Sequence, residues 1–289
     1  MKKLAICIPS YNRAKLLNRL LNSIPKIDDI VVSICDDGSN DNTIQIVKNH
    51  QSRLSINYTY QKNRGRAAAL RKSILNIDAQ FFMIMDSDDY FEKNGVDLIY
   101  KFVSSNPSIN FFVFPTRIIK NFKSKVISLS GIPQTNYISL RSDYKIKEDL
   151  HEVIHHKLLF DVLYEDPKNI RRIPTSYLWF KASEQTNCLP IDCLPVKVKE
   201  YFDDGMSANL LPLKVRYPEY MVLRYKTALK SKEYKSLIYR LKNTILFYRY
   251  SFHNKTLKLL KFKDFQFFLI GYIYGFLDFL IIKIFFRNN

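Results

Sequence analysis

Leu4 to Ile8 form an unbroken apolar run that stops at Pro9-Ser10-Tyr11-Asn12. A continuous run of this kind reads as a strand covered on both faces, as in a parallel sheet. Leu16, Leu17, Leu20, Leu21 and Ile24 then recur at helical spacing until Pro25. Ile30 to Cys35 predict a second strand that runs into Asp36-Asp37-Gly38-Ser39, with Asp41 placed to cap the helix after it. Ile56 to Tyr60 predict a third strand. Gly65 opens a basic, alanine-rich helix over 66–76. Phe81 to Met85 predict a fourth strand, ending in Asp86-Ser87-Asp88-Asp89.

This alternation of strand and helix implies an α/β fold with a mostly parallel sheet flanked by helices. Right-handed crossovers put the C-terminal ends of the strands on one edge, where open α/β sheets bind ligands. The polar clusters at 9–12, 36–39 and 86–89 all follow strand ends, so they are expected to converge. Further on, Phe111 to Phe114 read as a strand and 118–129 as another. Helical patterns cover 148–160 and 174–186, and Val196 to Lys199 are expected to return to the sheet. From Thr227 the chain is plainly helical, with Tyr234, Leu237, Ile238, Leu241, Ile245 and Tyr248 on one face.

Composition adds two facts. Apolar residues make up 47% of the 289, enough for a sizeable core. The net charge of +18 is concentrated at the end, where 16 Lys/Arg stand against 4 Asp/Glu from Lys214 onward. Such a segment seeks an anionic partner. Nucleic acid is not the expected one, because the basic residues sit beside dense aliphatic and aromatic runs rather than in a known nucleic-acid module. Cys7, Cys35, Cys188 and Cys193 lack the companions of a zinc site and are expected as free thiols in a reducing cytosol. The start, MKKLAICIPSYNR, has too short an apolar run for a signal peptide and reads as the first strand.

Asp86, Asp88 and Asp89 carry the most informative chemistry. Three carboxylates in four residues repel one another, and a divalent cation removes that cost. Mg²⁺ or Mn²⁺ suits carboxylate oxygens and keeps positions open for phosphate. Asp36-Asp37-Gly38-Ser39 offers a carboxylate to a base N–H or a ribose hydroxyl, although it is also a good turn sequence. Pro9-Ser10-Tyr11-Asn12 offers backbone groups and an aromatic face. Asn63-Arg64-Gly65-Arg66 precedes a helix N-terminus, whose amides and arginines suit an anion.

Leu4–Arg13, Ile34–Asp41, Asn63–Ala69 and Phe81–Phe91, in this order and spacing, resemble the family 2 glycosyltransferases of the GT-A fold, of the bacterial surface-polysaccharide type. The resemblance covers roughly residues 1–115. It implies inverting transfer from a nucleotide-sugar, usually a UDP-sugar, with bound Mn²⁺ or Mg²⁺. Pro9, Tyr11, Asn12, Asp37, Asn63, Arg66, Arg71 and Asp86 would then bind the nucleotide and sugar, and Asp88 and Asp89 the metal and diphosphate. It also implies a GT-A domain over 1–215, with a nucleotide-sugar half (1–115) and an acceptor half (116–215); charge and helical spacing make 216–289 a basic helical tail.

Inverting transfer needs a base for the acceptor hydroxyl. Relatives place an acid where this chain has Thr175. Asp166 is the leading substitute, with Glu165, Asp203 and Asp204 as alternatives. Arg171 and Arg172 read either as phosphate ligands or as a surface pair. His155 and His156 read as helix-surface residues rather than catalysts. The missing acid also fits a second reading, a nucleotide-sugar-binding partner of a glycan-assembly complex with no turnover of its own.

Phe265 to Phe286 have the length of a membrane span, but Gln266, Asp278 and Lys283 interrupt them. With Lys255, Lys258, Lys261 and Lys263 before them and Arg287 after, they suit a helix lying on anionic headgroups. A true span, and a core helix or one pairing copies in a homo-oligomer, are the other readings. Interfacial attachment fits a polyprenyl-linked or growing glycan acceptor on the cytoplasmic face of the cell membrane.

Overall fold

The computed structural model describes residues 1–168, 170–201, 210–230, 236–255 and 265–285. The chain opens with β1 (Lys2–Ser10), α1 (Ala14–Asn22), β2 (Ile30–Asp36), α2 (Thr43–His50), β3 (Ile56–Tyr60), α3 (Arg66–Leu75) and β4 (Ala79–Ile84). There follow β5 (Tyr90–Phe91), α4 (Gly95–Ser105), β6 (Phe111–Phe114), β7 (Thr116–Lys120), β8 (Lys123–Val126), α5 (Tyr137–Ser142), β9 (His151–His155) and α6 (His156–Val162). The remainder is α7 (Ser176–Ala182), β10 (Leu189–Pro190), β11 (Lys197–Tyr201), α8 (Leu210–Arg216), α9 (Pro218–Lys230), α10 (Leu237–His253) and α11 (Phe265–Phe285).

Two compact units emerge. The first comprises Met1–Thr135, Lys147–Arg171 and Thr186–Tyr201. Its main sheet has the order β10-β6-β9-β4-β1-β2-β3, and a smaller sheet has the order β5-β11-β7-β8. β1 runs parallel to β2 and β4, and β2 parallel to β3. The apolar runs predicted as strands are the central strands: Leu4, Ile6, Ile8, Ile34, Phe81 and Met83 are fully buried. Leu17, Leu20 and Leu21 of α1 pack into the same core.

Three expectations change here. The stretch 118–129, expected as one strand, holds the end of β7 and all of β8, paired antiparallel across a turn at Asn121-Phe122. The stretch 148–155, expected as helix, contains β9, which lies antiparallel between β4 and β6. Its residues have apolar neighbours on both sides, so the helical spacing of Leu150 and Ile154 is incidental and strand pairing decides. Val196 to Lys199 do return to a sheet, but to the smaller one. β11 pairs parallel with β7 and antiparallel with β5.

The second unit comprises Asn136–Ile146, Arg172–Gln185 and the described part of Phe202–Asn289. Met221 and Tyr225 of α9 meet Phe247, Tyr248 and Tyr250 of α10 in its core. The predicted apolar face of α10 is buried only toward its C-terminal end, at Tyr248 and in part at Ile245, and Tyr234 lies outside the described residues. Leu237 and Ile238 are 74% and 80% exposed, while Asn243, Thr244, Phe247 and Tyr248 are buried. Neighbouring helices choose the face, and the two polar residues are satisfied within their own helix. Asn243 donates to the Tyr239 carbonyl at 2.7 Å and Thr244 to that of Arg240 at 3.0 Å.

α11 packs closely on α10. A Cβ at Gly271 would lie 2.5 Å from that of Tyr248, and one at Gly275 would lie 2.8 Å from that of Phe252, so the small residues set the approach. Asp278 is buried and accepts hydrogen bonds from Arg249, and its Oδ2 lies 3.2 Å from Nε2 of His253. Burial alone would raise its pKa; the Arg249 and His253 contacts outweigh that and hold it below the usual carboxylate range. Among the described residues no helix is long and apolar enough to cross a membrane.

Candidate functional site

The loops after β1, β2 and β4 lie side by side because their strands are neighbours. In register, Ser10 pairs with Asp36, and Cys7 with both Ser33 and Ile84. Asn12, at φ +49°, donates its amide to Ser39 Oγ at 2.9 Å, and its side chain accepts the Asn40 amide at 2.8 Å. Asp41 accepts the Ala14 amide at 2.9 Å and the Thr43 amide at 3.1 Å, so one carboxylate serves the starts of both α1 and α2. Tyr11 is 44% exposed beside these loops, available to stack on a flat ligand.

Asp37 is buried and holds the start of α3. Its carboxylate accepts from the Gln61 side chain at 2.7 Å, the Arg64 amide at 2.8 Å and the Gly65 amide at 2.7 Å. The amide of Ala67 goes to the Arg171 carbonyl at 3.0 Å. Three amides expected to face an anionic ligand are thus taken up by the protein itself. Asn63 accepts from Arg171, and Arg71 donates to the Tyr164 carbonyl at 3.1 Å. Arg172 belongs to the second unit.

The three acids after β4 have different surroundings. Asp86 accepts from Arg66 Nε at 2.8 Å and Nη2 at 2.5 Å. Burial opposes its charge, but Arg66, with Lys199 and Lys197 further off, holds it well below the ordinary carboxylate range. Asp89 is buried, 3.5 Å from the equally buried Lys197 ammonium. Burial pushes its pKa up to about 6 against the pull of Lys197 and Lys199. The Asp88 side chain is 30% exposed, and its nearest cation is Arg13 at 3.8 Å.

Strand β11 is expected from the sequence as a strand, but none of its side chains is among the predicted site residues. Its period of two puts Lys197, Lys199 and Tyr201 on one face. Lys199 lies 2.8 Å from Asp149, which also accepts from the Tyr201 hydroxyl at 3.1 Å. Asp89, Asp149 and Asp86 outweigh burial and raise the Lys199 pKa. The only available signal was the alternation of Lys197-Val198-Lys199, which looks the same on any exposed strand.

Of the base candidates, Asp166 is exposed, 2.6 Å from Arg64, and accepts the Lys168 amide at 3.1 Å. Those two partners hold its carboxyl below the usual range. Glu165 is exposed. Asp203 and Asp204 lie outside the described residues. Thr175 immediately precedes α7 in the second unit. His155 closes β9 and accepts the Lys157 amide at the start of α6, consistent with a structural part.

The poly(ribitol-phosphate) beta-N-acetylglucosaminyltransferase TarS of Staphylococcus aureus is 28% identical over 143 residues, 47% of this chain and 23% of TarS. The chondroitin synthase of Escherichia coli is 34% identical over 97 residues, 32% of this chain and 14% of the synthase. The aligned part therefore spans less than a quarter of either relative. The crystal structure of S. aureus TarS 1-349 in complex with UDP-GlcNAc superimposes with a TM-score of 0.64 at 16% identity, covering 93% of this chain and 79% of that one. A mannosyltransferase from Pyrobaculum calidifontis, in complex with GDP-Man and Mn²⁺, gives 0.58 at 14% identity, covering 96% and 86%. These likenesses establish the GT-A fold. The family model described as Glycosyl transferase family 2 matches residues 5–164, more than half of the sequence, and the chain belongs to that family.

Proposed function

We propose that this chain is an inverting glycosyltransferase that moves a sugar from a nucleotide-sugar, a UDP-sugar in the first instance, to a lipid-linked or cell-surface glycan. The observation that carries the reading is the set of loops after β1, β2 and β4 meeting beside the Arg66–Asp86 pair, with the Asp88 carboxylate left accessible. The UDP-GlcNAc complex of TarS supports the choice of donor, as does family membership. Pro9, Tyr11, Asn12 and Asp37 are assigned to the base and ribose side. Arg66 or Arg71 is assigned beside them, Asn63 to the nucleotide, and Asp86 to the sugar or ribose.

A divalent cation, Mn²⁺ or Mg²⁺, fits this donor set in one way. Among the described residues no group of three His, Cys, Asp or Glu is arranged to enclose a metal. Such ions are commonly held by one or two carboxylates plus substrate phosphates. Asp88 would supply the accessible carboxylate, with Asp89 behind it. The ion's contribution would be to neutralise charge on the departing nucleoside diphosphate. Arg66 keeps Asp86 ionised and oriented, and Asp166 is the assigned proton acceptor for the incoming hydroxyl. The peripheral location we assign is the cytoplasmic face of the cell membrane, through the basic tail.

The test is a panel of UDP-, GDP- and dTDP-sugars with Mn²⁺, scored for binding and hydrolysis. No response to any member would overturn the proposal. Asp166 is held by Arg64, and the family's acid is absent at Thr175; these two facts keep a second reading in view, a nucleotide-sugar-binding partner without turnover. Donor binding by calorimetry without transfer to any extracted lipid-linked acceptor would favour it.

A further inference from the structure

Arg19 stands at the end of α1 furthest from the nucleotide loops, yet it reaches the Asp-Ser-Asp-Asp turn. Its Nη2 donates to the Asp88 carbonyl at 2.7 Å and its Nη1 to Glu200 Oε2 at 2.7 Å. The guanidinium also lies over the ring of Tyr90, 4.4 Å from its centroid. Glu200 projects from the face of β11 opposite Lys197, the residue that meets Asp89 at 3.5 Å. One strand therefore holds the turn twice: through Lys197 to the Asp89 side chain, and through Glu200 and Arg19 to the Asp88 backbone. The other end of α1 is tied to the loop after β2 through Ala14 and Asp41.

We infer that Arg19, oriented by Glu200, is a positioning residue that fixes the Asp88 carboxylate for the metal and diphosphate end of the donor. A planar guanidinium satisfies the carbonyl and the carboxylate together while lying on an aromatic ring, which an ammonium does not do. With the Asp88 carbonyl and the Asp89 carboxylate both held, the backbone from which the Asp88 side chain projects is set before a donor arrives. Supports of this kind change metal affinity without touching the metal. The inference rests on the metal-dependent donor reading above.

The test is calorimetry of the full chain with UDP, once with Mn²⁺ and once in EDTA, on Arg19→Lys, Glu200→Gln and Glu200→Ala. Arg19→Lys and Glu200→Ala are expected to weaken UDP binding in Mn²⁺ by about 10-fold or more, with binding in EDTA unchanged. Glu200→Gln retains an acceptor for Arg19 and is expected to recover most of the loss. Thermal melting in EDTA guards against simple misfolding. Wild-type binding in Mn²⁺ by Arg19→Lys overturns the inference, and so does an equal loss in Mn²⁺ and EDTA. A wild-type chain that binds UDP equally well in both overturns the metal reading itself, and the role of Arg19 falls with it.

Discussion

The Asp37 carboxylate and the Gly65 amide meet at 2.7 Å, joining the loop after β2 to the start of α3. Gly65 sits at φ +94°, and a Cβ there would lie 2.5 Å from the Arg171 Cα and 2.6 Å from its carbonyl oxygen. Backbone cannot give way as the end of a flexible side chain can. Gly65→Ala is therefore expected to lower stability by about 1–3 kcal/mol and to displace Asp37. Thermal melting with and without UDP measures both effects. A variant with wild-type stability and wild-type UDP affinity would contradict this account of the loop.

Asp88 and Asp89 are adjacent but are expected to fail differently. Asp88 is partly exposed and its ion pair with the part-exposed Arg13 is long at 3.8 Å, so Asp88→Asn is expected to fold normally and to lose about 100-fold or more of its Mn²⁺-supported turnover. Asp89 is buried against Lys197, and removing its charge leaves that ammonium unpaired. Asp89→Asn is expected to lose about 3–5 kcal/mol of stability as well as activity. Chemical denaturation beside a donor-hydrolysis assay separates the two. Undamaged activity in Asp88→Asn would remove the metal role.

Much of the first unit was legible because parallel strands announce themselves. The runs ending at Ile8, Cys35 and Met85 carry their polar clusters straight to one sheet edge, and that adjacency needs no knowledge of side-chain direction. What stayed hidden depends on contacts between distant segments. Glu200 lies 181 residues from Arg19, and nothing local marks either one. The strand at 151–155 was missed because its periodicity is ambiguous and only its neighbours β4 and β6 decide it. The exposure of Leu237 and Ile238 in α10 was hidden for a related reason: the buried face follows where α9 and α11 lie, not where apolar residues are densest.

Asp166 is assigned as the base, and its surroundings make a specific demand on the pH profile. The Lys168 amide and Arg64 hold its carboxyl below the usual range, so it is ionised throughout the neutral region. The acid limb of kcat/KM is then expected below about pH 4, and Arg64→Ala is expected to move it upward. Asp166→Asn is expected to cost about 100- to 10,000-fold in kcat. A full-rate Asp166→Asn enzyme would transfer the role to another carboxylate.

In α11, Asp278 contributes through its contacts with Arg249 and His253. Its folded pKa lies below the unfolded one, so the contribution is complete above about pH 4 and fades as pH falls through the folded value. Asp278→Asn is expected to lower stability at pH 7 by about 3 kcal/mol, and its deficit relative to wild type is expected to shrink toward pH 3. Denaturation of both proteins across that range checks the sign. A deficit that grew on acidification would show that the carboxylate is not held in its charged form.

The same contacts turn the only acid of α11 toward α10, leaving an apolar surface on the other side. Ile273 is 60% exposed, Phe276 52%, Leu269 47% and Leu277 43%. Lysines and arginines crowd the sequence on either side, which favours an anionic bilayer over a second, equally basic copy of the chain. A helix with this composition is expected to lie in the headgroup region. The double variant Ile273→Asp with Leu277→Asp is therefore expected to bind phosphatidylglycerol vesicles about 10-fold or more weakly than wild type while keeping its helix content. Raised salt is expected to weaken wild-type binding as well. If neither change affects sedimentation with vesicles, while the wild type forms dimers that the double variant does not, this surface joins copies of the chain instead.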